Sequence, residues 1–352
     1  MRIAHVRERH APAGAGWRLA AALGGPAATN PAPERWLDLE VARQHLAARD
    51  PRRAHNDVLF RQPITTLDDH LARGLRVATL EGILDGIVDA GGAPYTDDDA
   101  ILDAGDLRFG PPILRPPAFR DFYAFEGHVR RMWGLRGGEI PEHWYRLPVF
   151  YFSNVSELRG PGDPIWAPRG SVELDFELEI GALVDTPAFD LAADRAEEAI
   201  GGYFVLNDWS ARDLQRDEMP LRMGPAKGKD FGTTIGPWLV TPDELADARR
   251  PGATGPDLAM TAFVTDSAGH RTQISDGRWS SARYSFGQML GRASTDVHVR
   301  AGEMLGSGTV GTGCLLEVKD ATLGRWLEPG DSVTLSIDRL GSLATPVVAR
   351  AQ

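Results

Sequence analysis

The chain has 352 residues, of which 42% are hydrophobic and 25% charged, and its formal net charge is −11. This composition is typical of a folded globular protein, and the lack of a basic stripe argues against nucleic acid as a partner. There is one cysteine, Cys314, so an intrachain disulfide and a cysteine-rich zinc site are both excluded. No apolar run approaches the roughly 20 residues that a membrane span requires. The apolar run at residues 19–23 is too short for a signal peptide, so we expect a cytoplasmic protein.

The N-terminal third of the chain alternates short apolar segments with turns rich in glycine and proline. Helical spacing of apolar residues predicts one helix over residues 36–50 and a second over residues 68–87. Three consecutive aspartates at residues 97–99 could suggest a metal site, but a run of like charge is usually a solvated loop. We therefore assign no function to this part of the chain.

Residues 110–117 contain four prolines in eight positions, which predicts an extended linker. We place a boundary there, between a small N-terminal domain (1–115) and a catalytic domain (116–352). The second domain is predicted to be α+β and mostly β, because short β-rich segments outnumber helical ones. Its predicted strands cover residues 172–184, 202–207, 237–241, 259–265, 315–319 and 332–337. Its predicted helices cover residues 122–133, 194–200, 210–216 and 288–291.

Residues 172–180 alternate strictly between carboxylates and apolar side chains. In a strand this puts Glu173, Asp175, Glu177 and Glu179 on one face. Four carboxylates in a row repel, and no run of lysine or arginine nearby could pair with them. Either the face is solvated or a divalent cation relieves the repulsion, since magnesium and calcium prefer carboxylate oxygens.

A second group of polar residues follows an apolar strand that ends at Asp208. Ser210 precedes Asp213 by three residues, a spacing that predicts a capped helix beginning at Ser210. If the segment is helical from Asp208 onward, Asp208, Arg212 and Gln215 would share a face. The segment is therefore either a functional strand end or a capped surface helix with an Asp–Arg pair.

Two other features stand out in the sequence. His128 follows Asp121 by seven residues, or two helical turns, although most single histidines on helices are structural. Only three of the 38 basic residues are lysines, and Lys227 and Lys229 are two of them. Arginine does not replace lysine where a compact ammonium is needed, so either chance or chemistry retains this pair.

Taken together, these residues resemble the fumarylacetoacetate hydrolase family. The resemblance rests on five motifs in the family's order and spacing: Asp121 with His128, Glu177 with Glu179, residues 207–213 (Asn-Asp-Trp-Ser-Ala-Arg-Asp), residues 229–238 (beginning Lys-Asp-Phe-Gly) and residues 306–311 (Gly-Ser-Gly-Thr-Val-Gly). It implies a mixed β-roll catalytic domain, a small β-rich N-terminal domain and a homodimer. Lys227 matches no role in the family.

The resemblance also implies a set of site residues. The metal ligands would be Asp121, Glu177, Glu179 and Asp208, and they would hold magnesium, or else calcium or manganese. The catalytic residues would be His128 as general base, Glu317 as the carboxylate that orients it, and Lys229 beside the developing negative charge. The substrate contacts would be Tyr123, Tyr151, Arg212, Gln215 and Thr309.

The implied reaction is hydrolysis of a C–C bond in a small diketo acid, by a water that His128 and Glu317 activate. The chemistry is consistent, because a metal can hold adjacent oxygens as a Lewis acid and a histidine paired with a carboxylate can act as a base. An oxo-acid decarboxylase, hydratase or isomerase could use the same metal–enolate site. A non-catalytic metal-binding protein would be expected to have lost a ligand or the base.

The sequence departs from the family pattern after Tyr151, where Phe-Ser-Asn replaces His-Gly-Arg. Three nearby arginines are candidates for the missing one: Arg130, Arg131 and Arg136. Fumarylacetoacetate itself is therefore not the expected substrate. Three aromatic residues favour a more apolar acyl group: Phe150, Phe152 and Trp166.

Overall fold

The computed structural model describes residues 1–12, 14–50, 52, 55, 57–89 and 98–351. Its strands are β1 (Arg2–Glu8), β2 (Arg18–Ala22), β3 (Arg35–Asp38), β4 (Ile101–Asp103), β5 (Leu107–Phe109), β6 (Phe119–Phe122), β7 (Phe150–Ser153), β8 (Leu158–Arg159), β9 (Leu174–Asp175), β10 (Leu178–Val184), β11 (Ile200–Asp208), β12 (Ser210–Ala211), β13 (Thr233–Val240), β14 (Ala259–Thr265), β15 (Arg271–Arg278), β16 (Met304–Gly306), β17 (Ser332–Ile337) and β18 (Gly341–Pro346). Its α-helices are α1 (Leu39–Arg49), α2 (Leu67–Ala72), α3 (Glu81–Asp89), α4 (Glu126–Leu135), α5 (Ala193–Ala196), α6 (Arg212–Glu218), α7 (Phe286–Ala293) and α8 (Leu315–Val318). Among these residues no helix is long and apolar enough to cross a membrane.

One large mixed sheet organises the described chain. Its strands run in the order β4-β3-β2-β1-β13-β11-β10-β16-β6-β7, with β5 beside β1 and β8 beside β13. Every residue of the central strands β10 and β11 is buried, as expected for apolar strands covered on both faces. A four-stranded sheet, β15-β14-β17-β18, packs against it, and Met260 and Leu335 share a buried cluster with Ile180 and Val205. The α+β fold class is thereby confirmed.

The N-terminal segment and the later segment share this sheet. Strand β1 pairs antiparallel with β13, with Ile3 opposite Leu239, and both residues lie in one buried cluster with Leu206. Residues 110–117 contain no helix or strand, consistent with an extended segment. The sheet and the core are continuous across this segment. The domain boundary there stays a prediction.

Several predicted elements differ from the observed ones in their bounds. The helix expected over residues 68–87 is divided into α2 and α3, because the chain turns at Gly74 with a positive φ of 75°. The helix expected over residues 36–50 is shorter, since β3 occupies its start. Of the three consecutive aspartates, Asp97 lies outside the described residues and Asp99 is exposed. The strands expected over residues 259–265 and 332–337 are confirmed as β14 and β17.

Two local predictions near the site are wrong. Residues 315–319 were expected to form a strand, but Leu315–Val318 is the short helix α8. Ser210 does not cap a helix, since it lies in β12 and α6 begins at Arg212 without a side-chain cap. The Asp213 carboxylate instead accepts hydrogen bonds from Ser171 Oγ at 2.6 Å and from Val172 N at 2.8 Å. Tertiary partners thus replace the local ones that the spacing suggested.

Candidate active site

A cavity of about 780 Å³ collects most of the residues singled out in the sequence. The sequence analysis gave twelve candidate metal ligands, catalytic residues and substrate contacts. Ten of them line the cavity: Asp121, Tyr123, His128, Tyr151, Glu177, Glu179, Arg212, Gln215, Lys229 and Thr309. The other two, Asp208 and Glu317, lie behind this wall and contact it through Tyr151 and His128. The strand ends of the large sheet and the helices α4 and α6 therefore bring distant sequence motifs to one place.

Three carboxylates form a tight buried group at the cavity wall. Asp121, Glu179 and Asp208 each offer an oxygen within 4.8 Å of the others. Each also has one buried oxygen without a hydrogen-bond partner among the described residues. Burial raises the pKa of Asp121 and of Glu179 well above its ordinary range, and the neighbouring carboxylates raise it further. Burial also raises the pKa of Asp208, although Lys229 opposes the shift.

This group fits a divalent cation. Buried carboxylates without partners are costly, and hard cations take oxygen ligands of this kind. Glycine makes the close approach possible, because a Cβ on Gly306 would lie 2.3 Å from Asp121 Oδ1. Further oxygens of the group are held by Gly308 N, which donates to Glu179 Oε2 at 3.0 Å, and by Tyr151 Oη, which donates to Asp208 Oδ2 at 2.7 Å.

Glu177 is held by two cations, and it shares one of them, Lys229, with Asp208. Lys229 Nζ donates to its Oε2, and Arg212 Nη2 lies 2.9 Å from its Oε1. Burial alone would raise the pKa of Glu177, but Lys229 and Arg212 outweigh burial and lower it to about 2. Glu177 is therefore an anion paired with two cations, and it is not part of the group formed by Asp121, Glu179 and Asp208.

The expectation that no cation pairs with the carboxylates of residues 173–179 is wrong. Arg216 Nη2 lies 2.6 Å from Glu173 Oε2, and Arg212 Nε donates to Asp175 Oδ2 at 2.8 Å. These cations come from a segment more than thirty residues away, which the pairing of β9 with β12 brings alongside. Nor do the four carboxylates share one strand face, because β9 ends at Asp175 and β10 begins at Leu178.

His128 and Glu317 form a buried pair at the cavity. His128 Nδ1 lies 2.6 Å from Glu317 Oε1, and both side chains are buried. Thr312 N donates to Glu317 Oε2 at 3.0 Å, and Cys314 Sγ donates to Oε1 at 3.7 Å. A carboxylate that accepts from Nδ1–H fixes the tautomer and leaves Nε2 as an acceptor. The pairing expected from the family resemblance is present, although Glu317 stands on a helix and not on the predicted strand.

The predicted substrate contacts surround the same space. Arg212 Nη1 donates to Gln215 Oε1 at 3.0 Å, which orients both side chains. Lys229 Nζ bridges Glu177 and Asp208, and these carboxylates raise its pKa despite burial. Burial raises the pKa of Tyr123, so its hydroxyl stays a donor.

The aromatic residues expected to favour an apolar substrate do not line the cavity. Phe152 is 65% exposed beneath the Arg120 guanidinium, which lies 4.9 Å from its ring centroid. Trp166 packs under Arg159 instead. The apolar part of the wall comes from residues that the sequence analysis missed: Phe122, Met132, Leu135, Met219, Pro220, Pro225 and Leu316. They lie on separate segments, so no local pattern could have identified them.

The three candidate arginines are also separated by the structure. Arg130 pairs with Glu126 on the surface. Arg131 donates to the Glu317 carbonyl oxygen at 3.2 Å, while Arg136 lines the cavity. Arg136, at the end of α4, is therefore the one of the three that a substrate in the cavity can reach.

Known proteins match this chain in sequence. The family model described as fumarylacetoacetate (FAA) hydrolase C-terminal matches residues 118–348. The fumarylacetoacetase of Emericella nidulans is 31% identical over 274 residues, which are 62% of this chain and 63% of that protein. A putative hydrolase of Burkholderia ambifaria is 32% identical over 281 residues, which are 73% of this chain and 92% of that protein.

Solved structures show the same fold. The fumarylacetoacetate hydrolase of Exiguobacterium antarcticum superposes with a TM-score of 0.64 at 22% identity, over 99% of this chain and 100% of that one. A 5-carboxymethyl-2-hydroxymuconate delta-isomerase of Mycobacterium smegmatis gives a TM-score of 0.61 at 22% identity, also over 99% of this chain. The chain thus spans less than two thirds of the fumarylacetoacetases it matches but nearly all of these folds. By its matched motifs and the family model over residues 118–348, the chain belongs to the fumarylacetoacetate hydrolase family.

Proposed function

We propose that this protein hydrolyses a C–C bond in a small diketo acid in a reaction that depends on a divalent cation. The observation that carries the proposal is the His128–Glu317 pair on the wall that also carries Asp121 and Glu179. A histidine whose tautomer is set by a carboxylate is the arrangement that water activation needs. A non-catalytic protein is not favoured, because every predicted ligand and the base are present.

The roles of the protein groups follow from their contacts. Asp121, Glu179 and Asp208 would hold the cation, which when bound supplies Lewis-acid polarisation of a substrate carbonyl. His128 Nε2 takes a proton from water as the new C–O bond forms, and Glu317 stabilises the resulting imidazolium. The C–C bond breaks as its electron pair passes to the oxo-acid fragment, and the proton held by His128 is then returned to the carbon of that fragment.

Lys229 and Arg212 provide positive charge at the cavity wall. Both are buried and paired with carboxylates, so their positions are set before the substrate binds. Such preorganised charge is often the largest contribution to rate, because it costs no reorganisation when charge develops on the substrate. Glu177, the fourth ligand that the family resemblance implies, is an anion between these two cations and holds them in place.

The remaining expectations stay predictions. We propose magnesium as the cation, with calcium or manganese as alternatives, and a homodimer located in the cytoplasm. The substrate is a small oxo or diketo acid, with no nucleic acid or membrane as partner. The apolar wall around Met132 and Leu316 favours an acyl chain without charge next to the reacting carbon.

The test is an activity screen with magnesium in which acylpyruvates, 3,5-dioxo acids and oxaloacetate are offered. Products are identified by mass in water enriched with heavy oxygen. We expect two fragments, a carboxylic acid that carries the heavy oxygen and an oxo acid. Loss of carbon dioxide, or gain of one water without cleavage, would replace the proposal by a decarboxylase or a hydratase. An isomerised product of unchanged mass would replace it by an isomerase.

A further inference from the structure

Asp175 receives an unusual number of hydrogen bonds for a residue that does not line the cavity. Its side chain is completely buried at the end of β9. Its carboxylate accepts four hydrogen bonds, from Arg212 Nε at 2.8 Å, Phe176 N at 2.8 Å, Leu315 N at 2.8 Å and Leu316 N at 3.0 Å. These donors belong to three separate segments of the chain.

The first connection runs to the substrate side of the cavity. Strand pairing places Ser210 opposite Asp175, so Arg212 at the start of α6 meets the Asp175 carboxylate. The Arg212 guanidinium is planar and its donors have fixed directions. With Nε held by Asp175, Nη2 lies 2.9 Å from Glu177 Oε1 and Nη1 donates to Gln215 at 3.0 Å. Asp175 therefore fixes the plane of the Arg212 guanidinium.

The second connection runs to the base. Leu315 and Leu316 are the first residues of α8, whose initial N–H groups have no partner within the helix. The Asp175 carboxylate satisfies two of them from outside the segment, in the way that a capping side chain does. Helix α8 carries Glu317, and Glu317 Oε1 holds His128 Nδ1 at 2.6 Å. The position of the helix thus determines the direction of the imidazole.

We infer that Asp175 is a positioning residue that joins the two halves of the site through one carboxylate. It holds the Arg212 guanidinium on one side and helix α8 on the other, and through Glu317 it orients His128. The inference rests on the proposed function only where activity is measured, because the orientation of His128 can be observed without a substrate.

The test compares Asp175→Asn with a matched control, Asp185→Asn. The amide keeps the size of the side chain, but its NH₂ group meets the N–H donors of Arg212 and Leu316. Asp185 is also a buried aspartate, and it accepts from Arg76 Nε at 3.2 Å and from Val77 N at 3.0 Å at the start of a short helix. It does not line the cavity, so the control reproduces the structural loss without the proposed coupling.

The first measurement is the NMR resonances of the His128 imidazole nitrogens in protein with labelled histidine, assigned by their loss in His128→Gln. Wild type is expected to show one tautomer with the proton on Nδ1. Asp175→Asn is expected to show a shift or a mixture of tautomers, and Asp185→Asn the wild-type pattern. Unchanged resonances in Asp175→Asn, or an equal change in both variants, would overturn the inference.

The second measurement is kcat and KM on any substrate that the activity screen identifies. Asp175→Asn should lower kcat/KM by about 10- to 100-fold, the range found when outer partners of site residues are removed, and Asp185→Asn should not. If Asp175→Asn does not fold, Asp175→Glu replaces it as the test variant, because it displaces the carboxylate by one methylene. The same changes in the His128 resonances and in kcat/KM are then expected. If wild type cleaves nothing but the His128 resonances shift as expected, the proposed function fails and the positioning role of Asp175 stands.

Discussion

Two kinds of buried carboxylate line one cavity, and they differ in what faces them. Glu177 is paired with Lys229 and Arg212, which lower its pKa to about 2. Glu179 faces Asp121 and Asp208, and burial beside them raises its pKa. The two residues are separated by one position in the sequence and have similar burial. The comparison teaches that the facing groups, not the strand pattern, decide which carboxylate is paired with cationic side chains and which faces other carboxylates.

Replacing an unpaired carboxylate should have the largest effect on activity. Glu179→Gln should lower activity by more than the roughly 10- to 100-fold expected for an outer partner, because the proposed function makes Glu179 a ligand of the cation. It should also abolish the rise in melting temperature that magnesium produces by binding the native state. The measurements are turnover and melting temperature with and without magnesium. A magnesium response equal to that of wild type would remove Glu179 from the ligand set.

Replacing the paired carboxylate should have the largest effect on stability. Glu177→Gln removes one of two carboxylates from each of Lys229 and Arg212, which keep Asp208 and Asp175, so the free energy of unfolding should fall by less than the about 3–5 kcal/mol that a buried charge with no anion costs. The fall should appear in urea denaturation both with and without magnesium. The matched control is Glu303→Gln, which breaks the buried pair with Arg120 outside the cavity. If Glu177→Gln loses stability only when magnesium is present, Glu177 binds the cation together with Asp121, Glu179 and Asp208.

Loss of the proposed general base, His128, should lower turnover and leave cation binding unchanged. His128→Gln should lower hydrolysis by about 100-fold, the lower range for loss of a general base, which corresponds to about 2.7 kcal/mol. Magnesium should still raise the melting temperature, because His128 is not part of the carboxylate group. His70→Gln is the control, since His70 is buried but bonds to Arg76 O and Thr79 Oγ1. Unchanged turnover would favour the decarboxylase or isomerase alternative.

The smallest expected effect is on the pH dependence of the free energy of unfolding, and it concerns His5, a buried side chain that has only backbone partners. His5 Nδ1 lies 2.8 Å from Pro111 O and its Nε2 accepts from Leu67 N at 3.0 Å, which requires the neutral ring. Burial lowers the pKa of His5, although the bond to Pro111 opposes the shift. The unfolded state therefore takes up a proton that the native state excludes.

The sign of the pH dependence follows from this difference. The contribution of His5 is complete above about pH 6.5, the ordinary histidine pKa, and is lost as pH falls below it. His5→Gln keeps a donor and an acceptor without a titrating group. The slope of unfolding free energy between neutral and mildly acidic pH should therefore be smaller in this variant than in wild type. An equal slope would show that other groups produce the acid sensitivity. His10→Gln serves as the control, because His10 lies on the exposed turn after β1.

The sequence by itself determined the family and the fold class, and ten of its twelve candidate site residues line the cavity. Each motif, such as Asp121 with His128, lies within a short stretch of sequence. The order and spacing of these motifs along the chain were enough to identify the family. Strands such as β14 and β17 were found because alternation is visible within one segment. The same local view failed at α8, where four residues are too few for a helical period to appear.

Only the tertiary structure decided which groups face each other. The pairing of β9 with β12 brings Arg212 and Arg216 alongside, so that three carboxylates of a regular alternation are paired with cations while Glu179 is not. The apolar wall is assembled from α4, the segment after α6 and α8, and no periodicity links these segments. The physical reason is that charge pairing and desolvation act through space, whereas sequence patterns report neighbours along the chain.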